Sequence, residues 1–277
     1  YNPDSARLYI MASNDSIMCM TPPPAKTEVS DQEVEHATKT LLDIDNSEFE
    51  LIDYFGDKYS AEKALVFRGG FIWDPLVQHL GGDQTHQLMM TIMAPEQIKK
   101  MNKAVVEMNK RVLKRVAQKG YLIQMQGQDF GTNLGCLISP ESLRELFFPV
   151  LKEVNEYGSE FGLISFFHCC GKIWDIIDDY IQAGCQGYQS IQGSAGMDLK
   201  TVKAKYGDRL TLWGGIQCET LVDGSLEDVE KEVMESMKIA MSGGGFVYGS
   251  NNTVQFGAKT TNFLKGIELV RKHGVYS

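Results

Sequence analysis

The chain has 277 residues, 43% hydrophobic and 23% charged, with a formal net charge of −9. This balance suits one large globular domain or two small ones, and no uninterrupted run of about 18 apolar residues offers a membrane span. The acidic surface lacks the basic footprint that phosphate contacts need, which argues against a nucleic-acid partner.

Six cysteines stand at 19, 136, 169, 170, 185 and 218. A chain of this size and regularity does not need a disulfide scaffold, so reduced thiols and a cytoplasmic location are expected. The opening YNPDSARLYI carries no signal-peptide pattern.

The first part of the chain reads differently from the rest. RLYIMASNDSIMCM predicts a hairpin turning at Asn14-Asp15, and Pro22-Pro23-Pro24 makes a stiff link. Residues 1–44 are therefore expected to form a hairpin and linker, with the main domain over 45–277.

Beyond residue 60, strand-like and helix-like segments alternate. ALVFRGGF (64–71) is a short apolar run, and Trp73-Asp74-Pro75 predicts a helix start. A short helix is expected over 81–93. Pro95 opens a long helix in which Ile98, Met101, Val105, Met108 and Val112 recur at helical spacing, and Gly120 closes it. YLIQMQGQDFG (121–131) is the next strand. Ser139-Pro140 starts a helix expected to run to about Phe161. Four further pairs follow: strand 162–170 with helix 172–183, strand 185–191 with helix 199–206, strand 209–216 with helix 225–241, and strand 245–250 with helix 261–273. Each of these four helices is closed by a glycine at or shortly beyond its end.

Such alternation implies parallel strands joined by right-handed crossovers. An open doubly wound sheet and a (β/α)8 TIM barrel both fit. No G-x-G-x-x-G or G-x-x-x-x-G-K-[ST] supports a nucleotide-binding open sheet. Polar and glycine-rich residues instead gather at the strand C-termini, as QDFG, HCCG, QSIQG, WGGIQCE and YGSNN. A barrel builds its active site there. Six strand–helix units are visible, and a complete barrel needs two more strands, expected upstream of Tyr1.

The stretch FFHCCGKIW (166–174) carries the most chemistry. Successive strand residues face opposite ways, so His168 and Cys170 share one face and Cys169 takes the other. Imidazole and thiolate are both good zinc ligands, although two cysteines beside a buried histidine also describe ordinary packing. Cys218 is the best further ligand by type. Asp129, at a strand end, is a candidate catalytic group, metal ligand or helix cap. Arg68, Phe130, Trp213, Glu219 and Asn251 lie at or near strand ends and are candidate substrate contacts. The remaining cysteines, the methionines at 89, 90 and 93, and His79 and His86 are assigned no role in the chemistry.

Several motifs carry a resemblance. QDFGTNLGCLISPESLRELFFPVLKEV, HCCGKIWDIIDDYIQAGCQGYQSIQG through LTLWGGI, and GGGFVYGSNN occur in the order found in the uroporphyrinogen decarboxylase-like superfamily. The resemblance spans about residues 45–275 and implies a (β/α)8 barrel whose first strands precede this chain. One branch of that superfamily decarboxylates uroporphyrinogen without a cofactor. The other moves methyl groups to or from a corrinoid, with zinc held by His-x-Cys and a later cysteine. His168 and Cys170 match the His-x-Cys pair. The later cysteine falls just after the last strand, where this chain reads Tyr248-Gly249-Ser250-Asn251. Either Cys218 or a carboxylate is then expected to complete the site, with Cys218 the first choice, unless the metal is held differently or none binds.

The resemblance implies a methyltransferase using Zn2+ and a corrinoid-binding partner protein, acting on a methyl ether or a thiol. A cofactor-free decarboxylase is less favoured, because uroporphyrinogen carries eight carboxylates and the chain has seven arginines. A non-catalytic barrel that binds a small molecule is the third reading.

Overall fold

The computed structural model describes residues 9–11, 17–19, 30–43, 49–69, 72 and 84–276. Trp73-Asp74-Pro75, His79, the turn at Asn14-Asp15, the prolines at 22–24 and the side chain of His86 lie outside them.

The expected hairpin is present as β1 (Tyr9–Met11) and β2 (Ile17–Cys19), antiparallel with Tyr9 opposite Cys19 and Met11 opposite Ile17. Residues expected to be linker instead include a helix, α1 (Asp31–Leu42). Ser30 caps it, and Glu33 returns the bond to the Ser30 backbone in a capping box. Val34, Ala37 and Leu41 bury its inner face in the main core. A second helix, α2 (Glu50–Tyr59), follows and is tied by the Arg115–Asp53 ion pair to the long helix described next.

Six parallel strands form one sheet in strict chain order: β3 (Val66–Arg68), β4 (Ile123–Gly127), β5 (Ile164–His168), β6 (Gly187–Gln189), β7 (Thr211–Ile216) and β8 (Phe246–Ser250). Each strand pairs with its predecessor, as in six consecutive units of a (β/α)8 barrel. Among the described residues β3 and β8 are the edges, so the sheet is a half-barrel.

The connecting helices are α3 (Gln84–Met93), α4 (Pro95–Gln118), α5 (Pro140–Leu146), α6 (Phe148–Glu160), α7 (Ile177–Gln182), α8 (Leu199–Tyr206), α9 (Cys218–Val222), α10 (Leu226–Ala240) and α11 (Thr260–His273). The periodicity of α4 is realised in part: Ile98, Met101 and Val105 are buried, each contributing about 1.5–3 kcal/mol by leaving water, while Met108 and Val112 are half-buried and Leu113 and Val116 carry the core face further along. Gly120 ends it with φ +75.

Two expected helices differ. The helix expected from Ser139 to Phe161 breaks at Phe147. Pro149 lacks the N–H that a continuous helix would direct at Glu145, and its ring crowds that carbonyl. The helix expected from 172 begins only at Ile177, because Lys172 donates its N–H to Thr132 O at 2.7 Å and Trp174 Nε1 bonds Gly196 O at 3.1 Å. The short α9 was not expected.

The two faces of the sheet are chemically distinct. On the helix side, Phe167 stacks between Tyr180 (3.9 Å) and Tyr188 (4.7 Å), and Gln124 donates to Ser165 Oγ at 2.7 Å. On the inner face, register places Arg68 beside Met125, Met125 beside Phe166, and His168 beside Gln189, which neighbours Trp213. All six strands end on the same rim. No helix among the described residues is long and apolar enough to cross a membrane.

Candidate metal centre

The rim site is assembled where the loops after β4 and β5 cross. Gly131 and Gly171 meet there with their backbones in contact. A Cβ on Gly131 would lie 2.2 Å from Cys170 O, and one on Gly171 would lie 2.4 Å from Gly131 C. Gly171 also has φ +82, a conformation side chains resist. This close approach lets the Cys170 N–H donate to Asp129 Oδ1 at 2.9 Å.

Around that contact three atoms of types that can ligate a metal converge. Asp129 Oδ1 lies 3.3 Å from His168 Nε2, and His168 Nε2 lies 3.3 Å from Cys170 Sγ. The three ligand atoms all lie within 4.8 Å of one another. A tetrahedral zinc with ligands at about 2.0–2.3 Å separates neighbouring donors by roughly 3.3–3.7 Å, so these residues fit such an ion. The opposite nitrogen, His168 Nδ1, faces Gln189 Oε1. An acceptor there fixes the proton on Nδ1 and leaves Nε2 for the ion.

Two further groups touch the sulfur. Ser190 Oγ donates to Cys170 Sγ at 3.3 Å, and Asn252 Nδ2 does so at 2.9 Å. Ser190 has φ 84, the one positive value at a non-glycine among the described residues, and such a conformation costs about 1–2 kcal/mol. Asn252 belongs to the polar run YGSNN expected at the rim, whereas Ser190 was not singled out from the sequence. A serine in a left-handed turn leaves no compositional mark, and Asn252 is reached only by the loop beyond β8.

Cys169 is fully buried in the core and takes the Phe130 N–H at 3.3 Å. Burial pushes its thiol strongly upward, so it stays a neutral packing group. The alternation expected for His168, Cys169 and Cys170 is therefore realised.

Other expected site residues are placed elsewhere. Cys218 does not join the three ligands: it opens α9, its N–H bonds Asn251 Oδ1 at 2.9 Å, and its thiol turns to Thr253 O at 3.3 Å. Asp129 is the side chain that lies beside His168 and Cys170 instead. Phe130 is buried and packs edge-on against Phe147 at 4.7 Å, so it is core and not a substrate contact. Phe130→Ala is expected to destabilise the fold by about 3–5 kcal/mol in urea titration; unchanged stability with altered substrate affinity would restore the pocket role. Glu219 points to an outer acidic groove shared with Asp223, Glu232 and Glu235. Asn251 is buried and bridges strand ends, its Nδ2 donating to Gln217 Oε1 at 2.6 Å. Trp213 stays on the inner face, 6.3 Å edge-on from Phe166. Arg68 also lies on that face and is exposed.

The electrostatics follow from the geometry. Burial pushes the Asp129 carboxyl upward, but the hydrogen bond and charge of His168 and the Cys170 N–H outweigh it and hold it down to about 2. Burial likewise pushes His168 downward, but Asp129 and Cys170 outweigh it and raise it to about 10. In the metal-free protein a proton thus sits on Nε2 between carboxylate and sulfur. The His168 contribution to stability is fully present below pH 6.5 and is lost as pH rises to about 10. The Asp129 contribution is fully present above pH 3.8 and is lost as pH falls to about 2. An entering ion must displace the His168 proton, so affinity is expected to rise about tenfold per pH unit between pH 6.5 and 8.5 in chelator competition. A flat profile would show that Nε2 is not a ligand.

The family model for uroporphyrinogen decarboxylase (URO-D) matches residues 76–273. The chain belongs to the URO-D family. The matched segment carries every residue of the rim site, from Asp129 to Asn252. No curated protein matches the chain. Among solved structures, a methyltransferase from Methanosarcina mazei is similar with a TM-score of 0.66 at 15% identity, covering 98% of this chain and 76% of that one. The 3-keto-D-glucoside 4-epimerase YcjR from E. coli is similar with a TM-score of 0.49 at 12% identity, over 90% of this chain and 98% of that one. At such identities the likeness concerns the fold alone. The half-barrel is thus that of a URO-D family protein.

Proposed function

We propose that this URO-D family chain is a metal-dependent methyltransferase, exchanging a methyl group between a small molecule and a corrinoid carried by a separate protein. The observation that carries the reading is the convergence of Asp129, His168 and Cys170 within 4.8 Å at the C-terminal ends of parallel strands. These three residues would hold a zinc ion. Bound there, zinc supplies Lewis acidity to the oxygen of a methyl ether or to a thiol.

The chain's own residues prepare the rest. Gln189 orients the His168 ring, and the Cys170 N–H orients the Asp129 carboxylate. Trp213, half-buried on the inner face and edge-on to Phe166, offers an aromatic surface that suits the apolar body of a small ether or thioether. The surrounding polar groups are amides: Gln192 accepts from Gly171 N at 3.0 Å, and Gln217 accepts from Gly193 N at 3.1 Å. A neutral polar rim fits a small, uncharged substrate.

Cofactor-free decarboxylation is the second reading, favoured by the family match and by Arg68 on the inner face. A substrate with many carboxylates needs several cations, and Arg68 is the one arginine or lysine in the six described strands of the sheet. The test uses purified protein supplied with zinc, free methylcobalamin and a panel of small thiols. Methyl transfer is read from the visible spectrum of the corrinoid, beside carbon dioxide release from uroporphyrinogen. Demethylation that Cys170→Ala abolishes supports the first reading. Carbon dioxide release with no methyl transfer replaces it with the second.

A further inference from the structure

A methyltransferase that holds its ion through a thiolate faces a chemical hazard. The ligating sulfur is itself a nucleophile, placed beside an electrophilic methyl group. Three observations bear on how this sulfur is kept inert. Ser190 is fully buried and adopts φ 84, a conformation serine rarely takes. That conformation is held by the Tyr188 hydroxyl, which donates to Ser190 O at 2.9 Å, and it aims Ser190 Oγ at Cys170 Sγ. On the other side, Thr253 N–H donates to Asn252 Oδ1 at 2.7 Å. This settles which end of the amide is which, and turns the Asn252 NH2 group onto the same sulfur at 2.9 Å.

We propose that Ser190 and Asn252 are positioning residues that quench the Cys170 sulfur. A thiolate has three lone pairs. One goes to the ion and the other two accept from Ser190 and Asn252, so none is left to attack a methyl carbon. The left-handed backbone and the bond to sulfur occur together at one buried serine, and strain of this kind gathers at functional sites. The same two bonds withdraw charge from the sulfur, which leaves the ion a stronger Lewis acid toward substrate. The inference rests on the metal-dependent methyl-transfer reading above.

The test compares cobalt(II)-loaded protein, Ser190→Gly and Asn252→Ala. Glycine accepts the left-handed backbone without strain, so Ser190→Gly removes the hydroxyl and preserves the turn. Two quantities are read: the sulfur-to-cobalt charge-transfer band, and the rate at which methyl iodide modifies Cys170, followed by mass spectrometry. In that reaction sulfur donates a lone pair to the methyl carbon, the S–C bond forms, and iodide leaves with the C–I electron pair. Each variant is expected to keep one cobalt per chain, to shift the band to longer wavelength and to methylate about fivefold faster. Variants that keep cobalt with wild-type band and rate overturn the proposal and leave the methyl-transfer reading standing. Unmutated protein with no sulfur-to-cobalt band overturns both, since Cys170 would then not be a ligand.

Discussion

Replacing His168 by alanine is expected to leave the purified protein without bound metal. Elemental analysis should give about one metal ion per chain in the unmodified protein and none in His168→Ala or Cys170→Ala. Asp129→Asn keeps the shape of the side chain and removes its charge, so it isolates the third ligand. Loss of a hydrogen-bonding partner behind a ligand already costs about 10–100-fold in affinity, and loss of a ligand should exceed that. Cys218→Ser is expected to retain the ion, because the Cys218 thiol is engaged with Thr253 O. Metal lost from Cys218→Ser and kept by Asp129→Asn would reinstate the cysteine as the third ligand.

The second large effect belongs to a glycine. Gly171→Ala places a Cβ 2.4 Å from Gly131 C and 2.7 Å from Thr132 N, both backbone atoms that cannot swing aside. The left-handed backbone at φ +82 adds about 1–2 kcal/mol, and the overlap about 1–3 kcal/mol. Together these predict about 2–5 kcal/mol of destabilisation in denaturant titration. Relief of the overlap separates the two loops, so metal affinity should fall with stability. Gly162→Ala is the control: it also has positive φ, +80, but meets nothing within 4 Å. Equal losses for both variants would show that the left-handed conformation alone matters, and the loop crossing does not.

The sheet was legible in the sequence because each strand is a short apolar run followed by polar residues, and its helix ends at glycine. All six strands come from that pattern, while their consecutive order follows from the polar residues gathered at every strand end and from the family resemblance. Helix α1 was missed although Ser30-x-x-Glu33 announces it, because the hairpin and prolines before it set a reading of linker. The break at Phe147 could have been read from Pro149. The site was half legible. His168 and Cys170 follow from strand alternation, and Asp129 from its place at a strand end. The choice between Asp129 and Cys218 was not accessible, since it depends on α9 turning one thiol away and on two glycines bringing one carboxylate near. Phe130 and Asp129 are adjacent and point to opposite destinations, core and rim, at a loop where strand alternation no longer decides.

The same loop crossing has a consequence for the order of assembly. Asp129 and Cys170 are 41 residues apart, while Asn252 reaches Cys170 across 82. Loop-closure entropy grows with that span, and contacts of long sequence separation form late. The ion's ligands therefore come from two neighbouring strand–helix units, β4 and β5, and meet without the rest of the sheet. The donors that quench the sulfur arrive only when β6 and then β8 have docked. On the proposed reading, the three ligands therefore span a shorter stretch of chain than the full set that includes the two donors to the sulfur, and the finished sheet brings the donors and the ligands together.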